Sequence, residues 1–320
     1  MKRMMMILIC LVLTMTTIGA HAERGPGAHG GGMGGRGGMG GGMTTETDET
    51  VLSEMAEGAA KFTQDSFTDP DSSYNLEYSV FIPDDTSTVL PLVIYIPDSS
   101  AVGSSAAQIV ARYYGGDSFV TDAQQAAHPC YVIVPAFTET VTQDDWTTSD
   151  QINTLVKLID DFTASHAVDT NRLYITGQSM GCMTSLYLNS IYPDKFAATL
   201  YVSGQWDINV LQGMEKQKFF YIVAGGDEKA SAGQAEVIAM FDADSVPYTF
   251  AEWDAQNDAD IQNADLKALA DQDLNANFVL FTTGTVLNGG SGMEHMASFN
   301  YAYKISAVHD WLFAQVKGEP

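Results

Sequence analysis

A chain of 320 residues with 45% apolar and 17% charged side chains suits one globular domain with a short appendage. Its 40 Asp and Glu against 15 Lys and Arg leave a net charge of −25. Such a surface repels polyanions, which excludes nucleic acid and anionic membrane surfaces as partners.

Met1-Lys2-Arg3 precedes an apolar run from Met4 to Ile18, and Ala20-His21-Ala22 fits a small-residue cleavage site before Glu23. Residues 1–22 therefore read as a signal peptide, and the apolar run is short for a spanning helix. The expected product is secreted, periplasmic or held at the cell surface, with no stable membrane insertion after cleavage. Losing Lys2 and Arg3 moves the net charge from −25 to about −27. Residues 23–50 hold a Gly/Met tract, Gly30–Met43, and a polar run, Thr44–Thr50. Glycine-rich chain loses much entropy on ordering and offers little to bury, so this stretch reads as a flexible linker. His29 and the three Met of the tract lack the regular spacing of metal ligands.

Residues 51–320 then alternate apolar runs of strand length with longer helical patterns. Strands are expected at Leu76–Ile82, Leu92–Ile96, Tyr131–Val134, Arg172–Thr176, Thr199–Val202, Phe219–Ala224, Tyr248–Trp253 and Phe278–Thr282. Helices are expected at Ser149–Thr163, Met180–Ser190, Gly233–Phe241, Ala259–Ala270 and Ser298–Val316. This order predicts an α/β fold, a doubly wound, mostly parallel sheet with helices on both faces.

Gly177-Gln178-Ser179-Met180-Gly181 sits between an expected strand and an expected helix. A serine on so sharp a turn is exposed above the sheet, at the positive end of the next helix, as a nucleophile elbow requires. Gly177 and Gly181, two residues to either side, relieve crowding where side chains would collide.

A nucleophilic serine needs a base, and the base an orienting acid. Two histidines follow Ser179. His295 lies in the Gly-rich segment Gly289–His295, expected to be a loop after a strand, where open α/β sheets hold their ligands. His309 lies in the closing amphipathic helix, so His295 is the candidate base. The strand Phe219–Ala224 runs into Gly225-Gly226-Asp227-Glu228, which makes Asp227 the candidate acid. Glu228 beside it and Asp254 after the next strand are the alternatives. Cys130 and Cys182 are expected at opposite edges of the sheet, too far apart to bridge, as buried thiols. No cluster of ligand-type residues has metal spacing, and no glycine motif after a strand is of the phosphate-cradling kind, so no cofactor and no metal are expected.

Longer segments carry a resemblance. They are Tyr74–Pro83, Pro91–Pro97, His128–Pro135, Asp169–Gly181, Gly226–Ala230, Glu294–Met296 and His309–Gln315. In them the chain resembles secreted serine α/β-hydrolases of the predicted-peptidase, polyhydroxybutyrate-depolymerase-like and feruloyl-esterase-like family. The resemblance runs nearly the length of residues 51–320 and implies that these form an α/β-hydrolase catalytic domain. It also carries the acid and base roles onto Asp227 and His295. One departure stands out. Where most relatives read His-Gly after the strand that supplies an oxyanion-hole amide, this chain has Pro97-Asp98. Proline has no N–H to donate, and a carboxylate opposes a developing anion. The backbone N–H groups of Met180 and Ser99 are the expected donors, with the Asp98 side chain turned away.

The resemblance implies a serine esterase that forms an acyl-enzyme on a small-molecule or polysaccharide-linked ester, of plant cell-wall or polyester type. A peptidase using the same triad is the alternative, and a non-catalytic binding protein on the same fold a second.

Overall fold

The computed structural model describes residues 48–318. The expected signal peptide and all but the last three residues of the expected linker lie outside this range. Those three residues start the first helix: the Asp48 carboxylate caps it by accepting from the N–H groups of Thr50 and Val51.

Among the described residues nine strands make one sheet: β1 Thr63–Thr68, β2 Asn75–Phe81, β3 Leu90–Ile96, β4 Tyr131–Ala136, β5 Val168–Gln178, β6 Ala198–Val202, β7 Phe219–Ala224, β8 Tyr248–Trp253 and β9 Ala276–Phe281. Their order is β1-β2-β4-β3-β5-β6-β7-β9-β8. β1 and β2 pair antiparallel, β2 joins β4 antiparallel, and the other pairs are parallel. Ten α-helices among the described residues accompany it: α1 Glu49–Lys61, α2 Ala106–Val110, α3 Tyr114–Asp117, α4 Asp122–Ala127, α5 Gln151–Ser165, α6 Met180–Ile191, α7 Glu228–Asp244, α8 Ala259–Ala270, α9 Glu294–Tyr303 and α10 Ser306–Ala314.

The central strands are apolar throughout because both their faces are covered. Every residue of β3 and of β7 is buried. Alternation within a strand decides which layer each side chain joins. On β3, Val93 and Tyr95 join a cluster with residues of α1, α9 and α10, whereas Leu92, Ile94 and Ile96 join one with α5. On β7, Phe219, Tyr221 and Val223 pack with Cys182, Met183 and Leu186 of α6 and Val237 and Phe241 of α7.

Three departures from the expected elements have physical reasons. β1, of sequence Thr-Gln-Asp-Ser-Phe-Thr, carries almost no apolar signal because it is an edge strand exposed along most of its length. The single closing helix expected over Ser298–Val316 is two, α9 and α10, because Ile305 turns to an extended backbone (φ −76°, ψ 94°) inside one unbroken apolar pattern. And α9 begins at Glu294, so His295 stands in the first turn of a helix rather than in the Gly-rich loop itself.

Candidate active site

The parallel register sets Ile96 of β3 beside Gly177 of β5, and Gln178 beside Val202 of β6. The carboxyl ends of three neighbouring strands therefore open at one edge. Ser179 leaves β5 with φ 52° and ψ −116°, a left-handed geometry that costs a non-glycine residue on the order of 1–3 kcal/mol and clusters at functional sites. Its own N–H is tied to the Val202 carbonyl at 3.0 Å. The two elbow glycines are obligatory. A Cβ on Gly177 would lie 2.4 Å from the Gly181 carbonyl carbon, and one on Gly181 only 1.9 Å from the Ile96 oxygen. The helix thus starts in contact with the end of β3. Gly204, which the sequence reading passed over, does the same from the other side: its Cβ would meet the Ser179 oxygen at 2.8 Å and the Cys182 Cβ at 2.6 Å. Its position just past β6 was the available signal.

Asp227 and His295 meet the serine in a line. The Ser179 hydroxyl lies 2.8 Å from His295 Nε2, and His295 Nδ1 lies 2.5 Å from Asp227 Oδ2. Asp227 is buried, is the N-cap of α7, and accepts from the Ala230 N–H through its other oxygen at 3.3 Å. One carboxylate thereby serves a helix end and an imidazole, and its position is set by both. The His295 side chain keeps 31% of its surface open to solvent, and its ring stands edge-on to Phe299 at 5.1 Å. Glu228, the alternative acid, is the exposed first residue of α7. His309 lies in α10, buried and stacked on Phe119 at 4.4 Å.

Met180 is the first residue of α6, so its N–H has no acceptor inside the helix and points to the positive end. Ser99 likewise opens a short 3-10 turn over Ser99–Ala101, capped by Asp98. The Asp98 side chain is buried, and both its oxygens are occupied. Oδ1 accepts from the Ser100 N–H at 2.8 Å and the Ser100 hydroxyl at 2.5 Å, and Oδ2 accepts from Gln178 Nε2 at 2.9 Å. Gln178 in turn accepts from the Tyr95 hydroxyl at 2.9 Å. The Asp98 carboxylate is thus a structural tie between the β3 loop and the residue preceding the serine. The sequence drew notice to Asp98 but not to its partner, because Gln178 is 80 residues away.

Across the elbow, the Thr142 hydroxyl donates to the Met180 carbonyl at 3.1 Å and fixes the 142–148 loop on α6. That loop carries Trp146, exposed and set edge-on to the buried Trp206 at 5.5 Å. Cavities of about 390, 470 and 440 Å³ open elsewhere on the protein, and none of these three is lined by Ser179, His295 or Asp227. Among the described residues no group of three or more His, Cys, Asp or Glu is placed to hold a metal ion. Cys130 and Cys182 are both buried free thiols, and burial pushes the Cys130 thiol up to about 12.

Residues 114–217, less than half of the chain, match a family of phospholipases and carboxylesterases. No curated protein matches. Among solved structures, a thermostable esterase is similar over 81% of this chain at 19% identity and a TM-score of 0.61, with the chain spanning 64% of that esterase's length. A feruloyl esterase module from Clostridium thermocellum in complex with sinapinate is similar over 81% of this chain and 90% of its own, at 12% identity and a TM-score of 0.54. An S-formylglutathione hydrolase from Staphylococcus aureus is similar over 79% and 98%, at 12% identity and a TM-score of 0.50. Together with the sheet order, these likenesses establish that the chain has the α/β-hydrolase fold.

Proposed function

We propose that this protein is a serine carboxylic-ester hydrolase. The observation that carries the reading is the continuous hydrogen-bonded line from the Ser179 hydroxyl through His295 to Asp227, set on a strained turn at the carboxyl end of the sheet. Ser179 Oγ attacks the acyl carbon as His295 Nε2 takes its proton, and Asp227 holds the other ring nitrogen in the N–H tautomer. The carbonyl oxygen becomes an oxyanion facing the N–H groups of Met180 and Ser99. Collapse breaks the bond to the alcohol, which leaves with the proton from His295. Water then attacks the acyl-serine by the same route in reverse, releasing the carboxylic acid and restoring the hydroxyl.

The substrate class we propose is a short or aromatic ester, small or attached to polysaccharide, of plant cell-wall or polyester type. Support comes from the resemblance of the sequence to feruloyl-esterase-like and polyhydroxybutyrate-depolymerase-like hydrolases. Chemistry supports it too: an alkoxide departs more readily than an amide nitrogen, so a two-donor oxyanion site suffices. Export to the cell surface or beyond is part of the same proposal and rests on residues 1–22. The test is kcat/KM for an aryl acetate, methyl ferulate and a neutral peptide amide under one set of conditions. Either ester should exceed the peptide amide, and peptide cleavage outrunning both would replace the esterase by a peptidase.

A further inference from the structure

Glu294 precedes the base His295, and Gly226 precedes the acid Asp227. The two predecessors are bonded to each other. Glu294 Oε2 accepts from the Gly226 N–H at 3.0 Å. Its other oxygen, Oε1, accepts from the Gly284 N–H at 2.9 Å, in the loop that follows β9. One carboxylate in the first turn of α9 thus ties together the ends of β7 and β9 and the start of the helix that bears the base. The room for it exists because residue 226 has no side chain. A Cβ there would lie 2.0 Å from Glu294 Oε1 and 2.2 Å from its carboxyl carbon.

Beyond its contact with His295, the Asp227 carboxylate has a long 3.3 Å cap bond, and His295 is open to solvent on one side. Their 2.5 Å contact joins two elements, α7 and α9, whose starts, Glu228 and Glu294, are 66 residues apart in sequence. The Glu294 bridge spans the same gap one residue upstream on each. We propose that Glu294 is a positioning residue for the reaction, a strap that holds the acid-bearing turn and the base-bearing helix in register, with Gly226 as the notch that admits it. Glu294 touches neither Ser179 nor the acyl group. It acts through the Asp227–His295 pair, so the inference rests on the esterase reading.

The strap can be removed from either side. Glu294→Ala deletes it. Gly226→Ala leaves the carboxylate intact but displaces it, and the obstructing atoms are the far end of a flexible side chain, so the fold can accommodate the change. Glu294→Gln keeps one good acceptor in place of two. For hydrolysis of an aryl acetate by the purified protein, Glu294→Ala and Gly226→Ala should each lower kcat by roughly ten- to a hundredfold while KM holds, the scale expected when a reacting pair is displaced by about 1 Å. Glu294→Gln should fall between them and the parent. The acid-side limb of the kcat/KM pH profile should move in both strong variants, and the double variant should be no slower than the slower single one, since both break one contact. An unchanged kcat in Glu294→Ala and Gly226→Ala, or losses that multiply in the double variant, would overturn the strap. Ser179→Ala in the same series separates the two readings. If it is inactive while the strap variants turn over normally, only this inference fails, and if it stays active, the triad falls and the strap with it.

Discussion

Asp227 and His295 at the carboxyl end of the sheet, and Asp117 and His309 on its helical side, are the same two side chains in opposite settings. The first pair is fully partnered: each carboxylate oxygen of Asp227 accepts a bond, and each ring nitrogen of His295 makes one. Asp117 is completely buried, and neither of its oxygens has a hydrogen-bond partner among the described residues. His309 contacts Gln124 Oε1 through Nδ1 at 3.2 Å, stacks on Phe119, and leaves Nε2 unpartnered. Burial favours the neutral form of a titratable group: it pushes the Asp117 carboxyl up to about 9 and is the largest cause that takes the His309 imidazole down to about 4. The carboxylate and ring of Asp227 and His295 instead have hydrogen-bond partners that lead to the Ser179 hydroxyl, and that geometry is what separates the two settings.

The largest effects should separate the two histidines. Ser179→Ala and His295→Ala should each lower turnover by on the order of 10⁴-fold or more, and by similar amounts, because such residues act as a unit. Labelling by a fluorophosphonate probe should vanish in Ser179→Ala while its circular dichroism is unchanged. His309→Ala should leave turnover near the parent value and lower only the melting temperature. Turnover lost with His309 and kept without His295 would exchange their roles.

The acids come next. Asp227→Asn should lower kcat by roughly 10⁴-fold, because the amide cannot hold the imidazole in the required tautomer. Glu228→Gln, on an exposed side chain at the helix start, should change it little. Equal losses in steady-state assays of the two variants would count against Asp227.

How much of this was written in the sequence differs between the two regions. Ser179, Asp227 and His295 were legible because short-range rules place them: glycines around a turn, a strand ending in Gly-Gly-Asp, one histidine in a Gly-rich segment and one in a helix. The expected bounds of β7, β8 and α8 match the structure, β7 because an unbroken apolar run marks it and α8 because buried residues recur at Gln262, Leu266 and Leu269 with the helical period. The edge strand β1 and the break at Ile305 were hidden, the first because exposure removes its apolar pattern, the second because apolar residues continue through the turn. The Asp98–Gln178 tie and the Glu294 bridge join residues 80 and 68 apart, and no local rule reaches that far. Nor did anything local mark Asp117 as buried, yet a Cβ on Gly58 of α1 would lie 2.7 Å from the Asp117 Cβ.

Asp117 should reveal itself in stability. Its folded value of about 9 stands above the unfolded value of 3.8, so its contribution is fully present below pH 4 and is lost as pH rises from there to about 9. Asp117→Asn removes the titration and should stabilise the protein at neutral pH by on the order of 3 kcal/mol. Its denaturation midpoint should be flatter than the parent's between pH 5 and 9. A variant less stable than the parent at pH 8 would mean that the carboxylate is charged and partnered in the folded protein.

His309 offers the smallest and most specific test, because its sign reverses with pH. Its folded value of about 4 lies below the unfolded value of 6.5, so its contribution is present above pH 6.5 and is lost as pH falls through the interval to about 4. Below pH 6.5 the unfolded chain takes up a proton that the folded chain refuses. His309→Phe keeps the ring against Phe119 and abolishes that proton uptake, at the loss of the contact with Gln124 Oε1. At pH 8 the variant should be less stable than the parent by about 1 kcal/mol, the ordinary net worth of a hydrogen bond. At pH 5 it should be the more stable by on the order of 1 kcal/mol, since the parent alone carries the proton penalty there. Urea denaturation at the two pH values reads the crossing directly. Parallel curves with no crossing would show that the imidazole titrates normally in the folded protein, and the contrast between the two histidines would then rest on position alone.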